Sequence, residues 1–311
     1  MPKHKFSLVA CARWEEKDIL EWLDYHRSIG IDHVYLYSND DDASTLKDAI
    51  GPHLESARPF VTYRHRHPSK WRQVHMYLDF LSAHRFETEW LCFLDIDEFL
   101  VIKGHNDLPR FMSPLGAHFD AVYFNWVIHG ASGRRTRQPG SVLTGLARRN
   151  RRMDFHTKNF IRARFADPKK ITPKFDAGAR AFWHFWDDYH LHGLRVCDVL
   201  GVPLLHYTDK WPERAQALVG RPGFQDHALA TAYVAHFQFK SEADFMRRAA
   251  RGGNAGQQAW LKVFEEGRHK ALLAENDAVP DTYLRDYWEG RQPRRISEAR
   301  PVLPPRSGAD L

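Results

Sequence analysis

Cysteine is scarce in this chain. Its 311 residues include 3, Cys11, Cys92 and Cys197, each alone in an apolar context without C-x-x-C spacing. That excludes a disulfide framework and a zinc knuckle and leaves three buried thiols. Long apolar runs are missing too. No window approaches the ~18 uninterrupted apolar residues of a membrane span, and the apolar stretch after Met1-Pro2-Lys3-His4-Lys5 is too short for a secretion signal. A cytoplasmic protein is expected. There is no internal repeat, and no zinc-finger, RNP-like or helix-turn-helix pattern, so no nucleic acid partner is expected. What is present is 43% hydrophobic and 13% aromatic content, enough for a substantial core in one large domain or one domain with an appendage. The formal charge of +6 is uneven: residues 134–174 carry thirteen Lys or Arg against Asp154 and Asp167. This stretch reads as a solvated face with phosphate-binding loops, and it also allows peripheral contact with the inner face of an anionic membrane.

Phe6–Ala10 reads as a first buried strand. A helix is expected over Glu15–Ile29, where Ile19, Trp22, Leu23, His26 and Ile29 fall at helical spacing before Gly30. His33–Tyr37 is a β-branched and aromatic strand followed by the polar loop Ser38-Asn39-Asp40-Asp41-Asp42, so the chain opens as a βαβ unit of an α/β fold. Weaker or shorter elements follow: a strand at Val61–Tyr63, a helix over Gln73–His84, a short helix over Asn106–Met112, and a strand at Ala121–Asn125. The periodicity of His156–Arg162 is not clean. A late strand is expected at Val234–Lys240. Ser241 then caps a helix that stops at Gly252-Gly253, a further helix spans Gln257–Glu266, and a Pro- and Arg-rich disordered tail starts at Arg291. The expected division is a main domain over 1–240, a helical extension over 241–290 and a tail over 291–311.

The most informative stretch is Trp90-Leu91-Cys92-Phe93-Leu94-Asp95-Ile96-Asp97-Glu98-Phe99-Leu100. Its first half lacks polar alternation, as a strand buried on both faces does. If the backbone stays extended, Asp95 and Asp97 share a face and Glu98 points the other way. Two carboxylates at the carboxyl end of a sheet strand suit a hard divalent cation and a nucleotide. Near the ends of the first two strands, Arg13, Asn39 and Asp42 are candidates for the nucleotide pocket.

Several segments in order resemble glycosyltransferase family 92 and its bacterial family-2-like relatives. They are Arg13-Trp14-Glu15 with Glu21-Trp22 and Tyr25-His26, Tyr37-Ser38-Asn39, Gln73, and Leu94-Asp95-Ile96-Asp97-Glu98-Phe99-Leu100, which is similar to a D-x-D-E-F signature. Trp126 with Gly130-Ala131-Ser132-Gly133 resembles the family's Trp-x-x-[FY]-Gly-x-Ser-Gly loop. His236-Phe237-Gln238-Phe239-Lys240-Ser241-Glu242, with Phe245 and Arg251-Gly252, resembles its late segment. Trp14, His129 and Phe237 depart from the pattern. The resemblance implies a GT-A-type (Rossmann-like) mixed sheet flanked by helices, with a C-terminal helical extension. It also implies Mn²⁺ or Mg²⁺ as cofactor, and inverting transfer from a nucleotide sugar, a UDP-sugar first among the options, to a glycan or lipid-linked acceptor, as in polysaccharide biosynthesis.

On that resemblance Asp97 is the main metal ligand, and Asp95 serves the ribose or a metal-bound water. Asn39 and Asp42 bind base or ribose, Arg13 binds a phosphate or orients its loop, and Glu15 and Gln73 complete the donor site. Lys240 lies near a donor phosphate, and Trp126, Gly130, Ser132 and Gly133 form a donor or acceptor loop. His236, with His206 as the other option, completes the metal site, while Asp187 or Asp188 supplies the general base. Glu98 braces its loop. Two other classes compete: a D-x-D phosphohydrolase of the haloacid-dehalogenase type, and a basic nucleic-acid or membrane-surface binding protein.

Overall fold

The structure, a computed structural model, describes residues 1–55, 57–67, 72–104, 106–176, 181–185, 193–250 and 261–291. Among them lies a nine-stranded mixed sheet. Its strands are β1 (His4–Ala12), β2 (His33–Ser38), β3 (Val61–His65), β4 (Thr88–Phe93), β5 (Glu98–Ile102) and β6 (Ala121–Ile128), and beyond the two-residue β7 (Arg148–Arg149), β8 (Thr157–Arg162), β9 (Val196–Asp198) and β10 (Ala232–His236). The order is β3-β2-β1-β4-β8-β6-β10-β5, with β9 on β6 as well. The first four of these are parallel. β8 runs antiparallel between β4 and β6, and β5 antiparallel to β10 at the far edge. The expected α/β sheet flanked by helices is therefore present.

Both faces of this sheet are covered, which is why β1 and β4 lack polar alternation. Leu8, Ala10, Leu36 and Cys92 pack on one face with Trp22 and Leu23, while Val9, Tyr35, Leu91 and Phe93 pack on the other with Tyr77 and Phe80. Each such side chain taken fully out of water contributes about 1.5–3 kcal/mol. Leu284 and Trp288 of the helix Tyr283–Arg291 join the first of these clusters, so the C-terminal region packs on the same core. A last strand, β11 (Val279–Pro280), pairs with β7. No helix among the described residues is long and apolar enough to cross a membrane.

Several expected boundaries move. The helix expected from Glu15 starts at Ile19, because Trp14 takes a left-handed φ of 59° and the Glu15 carbonyl closes a turn onto the amides of Asp18 and Ile19. Residues 13–18 are thereby freed as a loop at the end of β1. The helix expected over Asn106–Met112 spans Leu108–His118 and accommodates Pro114. Gln73–Ala83 is helical as expected. The late strand ends at His236, and the helix Glu242–Ala250 is capped by Ser241, whose Oγ accepts the Asp244 amide at 3.0 Å. The expected helix stop at Gly252-Gly253, the start of the Gln257–Glu266 helix and the tail beyond residue 291 lie outside the described residues.

The largest difference concerns the D-x-D segment, which is not extended. β4 stops at Phe93 and β5 begins at Glu98, with a turn between them closed by the Glu98 amide donating to the Asp95 carbonyl at 3.1 Å. Trp22 Nε1 donates to the carbonyls of both Asp95 (3.0 Å) and Glu98 (2.8 Å) and pins the turn from below. The alternation expected of a strand therefore fails. Glu98 folds back and accepts the Asp95 amide at 2.9 Å, on the same side as Asp95 rather than opposite to it. It braces the turn, as expected, by a route the strand picture does not contain.

Candidate active site

The two aspartates of this turn have different surroundings. Asp95 Oδ1 accepts from Gln73 Nε2 at 2.8 Å, and its Oδ2 accepts from Lys158 Nζ at 2.9 Å. Lys158, on β8, is fully buried and also stands 3.2 Å from Glu98, which is equally buried. Burial pushes the Asp95 carboxyl up, but Lys158 more than offsets this and holds it below the usual range. Burial drives Glu98 well above it despite Lys158. Its Oε1 has no hydrogen-bond partner. One buried lysine thus faces two acidic side chains, the buried Glu98 and the partly exposed Asp95, and Asp95 is bound by the protein's own groups.

Asp97 turns elsewhere. Its backbone carbonyl accepts the Phe237 amide at 2.8 Å, and its Oδ2 is 3.6 Å from His236 Nε2. His236 lies opposite Glu98 in the β10–β5 register, which brings it to the turn. The residue is 2% exposed, and neither of its ring nitrogens has a hydrogen-bond partner among the described residues. His206, the other candidate, is exposed and paired with Asp209 at 3.3 Å. The structure therefore brings His236 to the D-x-D turn.

Beside Asp97 opens a small cleft lined by Glu15, Asp97, Arg137, Gln238, Lys240, Asp244 and Arg247. The loop after β1 and the segment after β10 meet here. Lys240 binds Asp18 and stands 3.9 Å from Glu15. Arg137 Nη1 donates to Asp18 at 2.8 Å, and Arg247 donates to the Trp14 carbonyl at 2.7 Å. Burial raises the Asp18 carboxyl, but Lys240 and Arg137 outweigh it and leave it below its ordinary value. Three cations, Lys240, Arg137 and Arg247, thus line the cleft together with the carboxyl groups of Glu15, Asp97 and Asp244.

The rest of the expected nucleotide pocket is looser. Arg13 stacks on Trp14 (4.9 Å) and lies 3.6 Å from Asp41. The Asn39 amide donates to the Ala12 carbonyl at 3.2 Å, which places it at the mouth of β1 and β2. Asp42 is exposed and caps the helix Ala43–Ala49 by accepting the Ser44 amide at 2.8 Å.

The glycine loop has an internal role. The amides of Ser132 (2.9 Å) and Gly133 (3.1 Å, φ 72°) donate to the carboxylate of Asp277, at the end of the helix His269–Asn276. A Cβ on Gly130 would stand 2.1 Å from Asp277 Oδ1 and 2.8 Å from the Asn276 carbonyl carbon, so only glycine fits. Beyond it, the carbonyls of Arg134 and Arg135 accept amides from the start of the Glu242–Ala250 helix, and the loop delivers Arg137 to the cleft. Trp126 stacks between His156 (5.2 Å) and His236 (4.4 Å).

Asp187 and Asp188, expected as the general base, lie outside the described residues. The residue-by-residue reading missed Lys158, Arg137, Asp18, Asp277 and His184 as site residues. The His184 carbonyl accepts from Thr157 (2.6 Å) and Asn159 (2.8 Å), and burial with nearby Lys158 lowers its imidazole to about 3 despite Asp95. The one available signal was charge: Lys158 and Arg137 both lie in the basic stretch.

Comparison with known proteins bears on this arrangement. Residues 8–119, which include the β1 loop, Gln73 and the D-x-D turn, match the family model of glycosyltransferase family 92. The resemblance to family 92 holds. A family 92 protein of Oryza sativa subsp. japonica is 26% identical over 54% of this chain and 28% of its own length, and one of Ricinus communis is 28% identical over 32% and 17%. The chain thus aligns with less than a third of either relative. Among solved structures, GalNAc-T7 with UDP, GalNAc and Mn²⁺ overlaps at a TM-score of 0.39 (8% identity; 87% of this chain, 50% of that one). GlyE of Streptococcus pneumoniae TIGR4 overlaps at 0.36 (10% identity; 92% and 64%). Both overlaps are too loose to carry a conclusion. The family 92 match favours a transferase over a phosphohydrolase or a basic adaptor.

Proposed function

We propose that this chain is a metal-dependent glycosyltransferase that holds a nucleotide-sugar donor, a UDP-sugar first, across the D-x-D turn and transfers its sugar with inversion to a glycan or lipid-linked acceptor. The observation that carries this reading is His236: a buried imidazole with two unpartnered nitrogens, 3.6 Å from Asp97, in a family 92 context. An apolar site would not strand both nitrogens without cost, and oxygen or nitrogen ligands at about 2.0–2.1 Å from one cation can stand roughly 3–4 Å apart. The residues therefore fit a divalent cation held by Asp97 and His236. An imidazole ligand favours Mn²⁺ over Mg²⁺. Among the described residues no three His, Cys, Asp or Glu side chains are grouped to hold a metal, so donor phosphates and water would complete the coordination. A cation bound there neutralises the charge left on the diphosphate as the anomeric bond breaks.

The protein's own groups do the remainder. Lys240, Arg137 and Arg247 line the cleft next to Asp97 and would receive phosphate oxygens. Lys158 and Gln73 fix Asp95 for a ribose hydroxyl, and Arg13, Glu15, Asn39 and Asp42 border the nucleotide side. Trp126, Gly130, Ser132 and Gly133 shape the wall behind His236. The basic stretch is read as structural and phosphate-binding rather than as a membrane patch, since Arg137, Arg149, Lys158 and Arg162 each pair with a carboxylate. A thermal-shift series with UDP, UDP-glucose, UDP-galactose and UDP-N-acetylglucosamine, each with and without Mn²⁺, tests the reading. Ligand at 100 times its Kd stabilises by about 2.7 kcal/mol. A melting temperature that no nucleotide raises in the presence of Mn²⁺ overturns it.

A further inference from the structure

Against the Trp126 ring, which also touches His236, stands an aspartate–histidine pair that donor binding does not use. His156 immediately precedes β8, two residues before the Lys158 whose Nζ meets Asp95, and its ring lies 6.4 Å from that of His184. His156 Nδ1 is 2.7 Å from Asp154 Oδ1, and the same oxygen accepts the His156 amide at 2.7 Å. Asp154 is itself anchored: its amide donates to the Trp126 carbonyl at 2.8 Å, and its carbonyl accepts from Asn125 Nδ2 at 3.1 Å. Burial raises its carboxyl and His156 brings it below the ordinary value, so it stays a carboxylate.

The ring is held flat between aromatic groups, on Trp126 at 5.2 Å and 23°, and on Phe155 at 4.6 Å, with Trp211 edge-on at 5.5 Å. A carboxylate that takes the Nδ1 proton leaves the lone pair on Nε2. Nε2 has no hydrogen-bond partner among the described residues, and the side chain is 37% exposed. The surrounding charged or titratable groups are Asp154 on its own turn, His184 with its ring centroid 6.4 Å away, Lys158 and Asp95 beyond it, His236 across Trp126, and Tyr207, whose hydroxyl is spent on the Phe155 carbonyl at 2.7 Å. None of them bonds Nε2.

We propose that His156, oriented by Asp154, is the base that deprotonates the incoming hydroxyl, an inference that rests on the glycosyltransferase reading. The hydroxyl oxygen forms its bond to the anomeric carbon, and the bond from that carbon to the phosphate oxygen breaks with its electron pair leaving on the diphosphate. The hydroxyl proton passes to His156 Nε2 and from there to solvent once the products have left. Asp154 is a positioning residue that fixes the tautomer and stabilises the imidazolium. Asp187 and Asp188 then have no required part in the proton transfer.

The test uses the full chain with Mn²⁺. It follows UDP release from UDP-glucose, UDP-galactose and UDP-N-acetylglucosamine with water as acceptor across pH, with UDP affinity measured separately by calorimetry. His156→Gln is expected to bind UDP as the wild type does and to release it about 100-fold or more slowly, the usual range for losing a general base. The rise of rate with pH on the acid side disappears with it. Asp154→Asn gives a smaller loss and moves that rise to lower pH, which a merely structural aspartate would not do. Turnover of His156→Gln within a few-fold of wild type overturns the assignment, and so does loss confined to Asp187→Asn or Asp188→Asn, or loss of UDP affinity in His156→Gln. A wild type that binds UDP but releases none from any donor overturns the base alone, whereas one that does not bind UDP with Mn²⁺ sinks the transferase reading and the base with it.

Discussion

Asp95 and Asp97 are two residues apart in one turn, yet the protein treats them oppositely. Asp95 is held by Gln73 and the buried Lys158, while Asp97 faces a buried imidazole whose nitrogens have no hydrogen-bond partner among the described residues. The Asp95 side carries its own cation, Lys158, and the Asp97 side is the one to which the proposed function assigns a divalent cation. The comparison separates what holds the turn together from what the turn offers a ligand, a distinction that the letters D-x-D do not make.

The sharpest way to break the comparison is Lys158→Met. With no exposure at Lys158 or Glu98, removing the lysine leaves the buried Glu98 carboxyl and the partly exposed Asp95 carboxylate without their cation, and a loss of about 3 kcal/mol, the low end for a broken buried pair, is expected in urea unfolding. A loss below about 1 kcal/mol would show that the Asp95 side is not held by this pair. Asp97→Ala should behave the other way round. Metal-dependent stabilisation by UDP falls to the level seen without Mn²⁺, while unfolding of the unliganded protein changes little. Retained Mn²⁺ dependence in this variant would remove Asp97 from the metal site.

Two other buried histidines, of which His129 shares with His236 two ring nitrogens that have no hydrogen-bond partner among the described residues, give the fold a pH dependence. Burial holds His26 at about 3 and His129 at about 4, both below the ordinary value near 6.5. Because the unfolded chain takes up these protons first, the associated stability is fully present above about pH 6.5 and is lost as pH falls towards 4 and then 3, at about 1.4 kcal/mol per pH unit for each histidine. Urea midpoints that stay flat between about pH 7 and pH 5 would contradict this. A smaller effect is expected from Gly130→Ala, where crowding against Asp277 and Asn276 costs about 1–3 kcal/mol, read as a lower melting temperature. The smallest should come from Asp42→Asn. Asparagine caps the helix as well as aspartate does, so the fold is unchanged and only nucleotide affinity drops a few-fold.

The sequence is most legible where burial is simple. β1, β2, β4 and the start of β6 show as apolar runs because both faces of the sheet are covered. β8 does not show, because Thr157, Lys158 and Asn159 are buried for the sake of the site and break any period. Asp97, His236 and Lys240 were reachable through ordered motifs. Lys158 was not, because its meaning depends on Asp95, 63 residues away. Likewise the turn at Asp95–Glu98 was invisible in a stretch whose apolar character reads as one strand, although β4 and β5 lie far apart in the sheet.

The Asp277 carboxylate seated on the Ser132 and Gly133 amides has a practical corollary for anyone trimming the chain. A gene shortened at residue 240 would keep the D-x-D turn, His236 and Lys240 but delete Asp244 and Arg247 from the cleft, together with the carboxylate on which the glycine loop closes. Arg137, which that loop carries to the cleft, would lose its fixed approach to Asp18. The smallest fragment worth expressing therefore extends past Asp277, because the C-terminal helices hold the loop that carries Arg137.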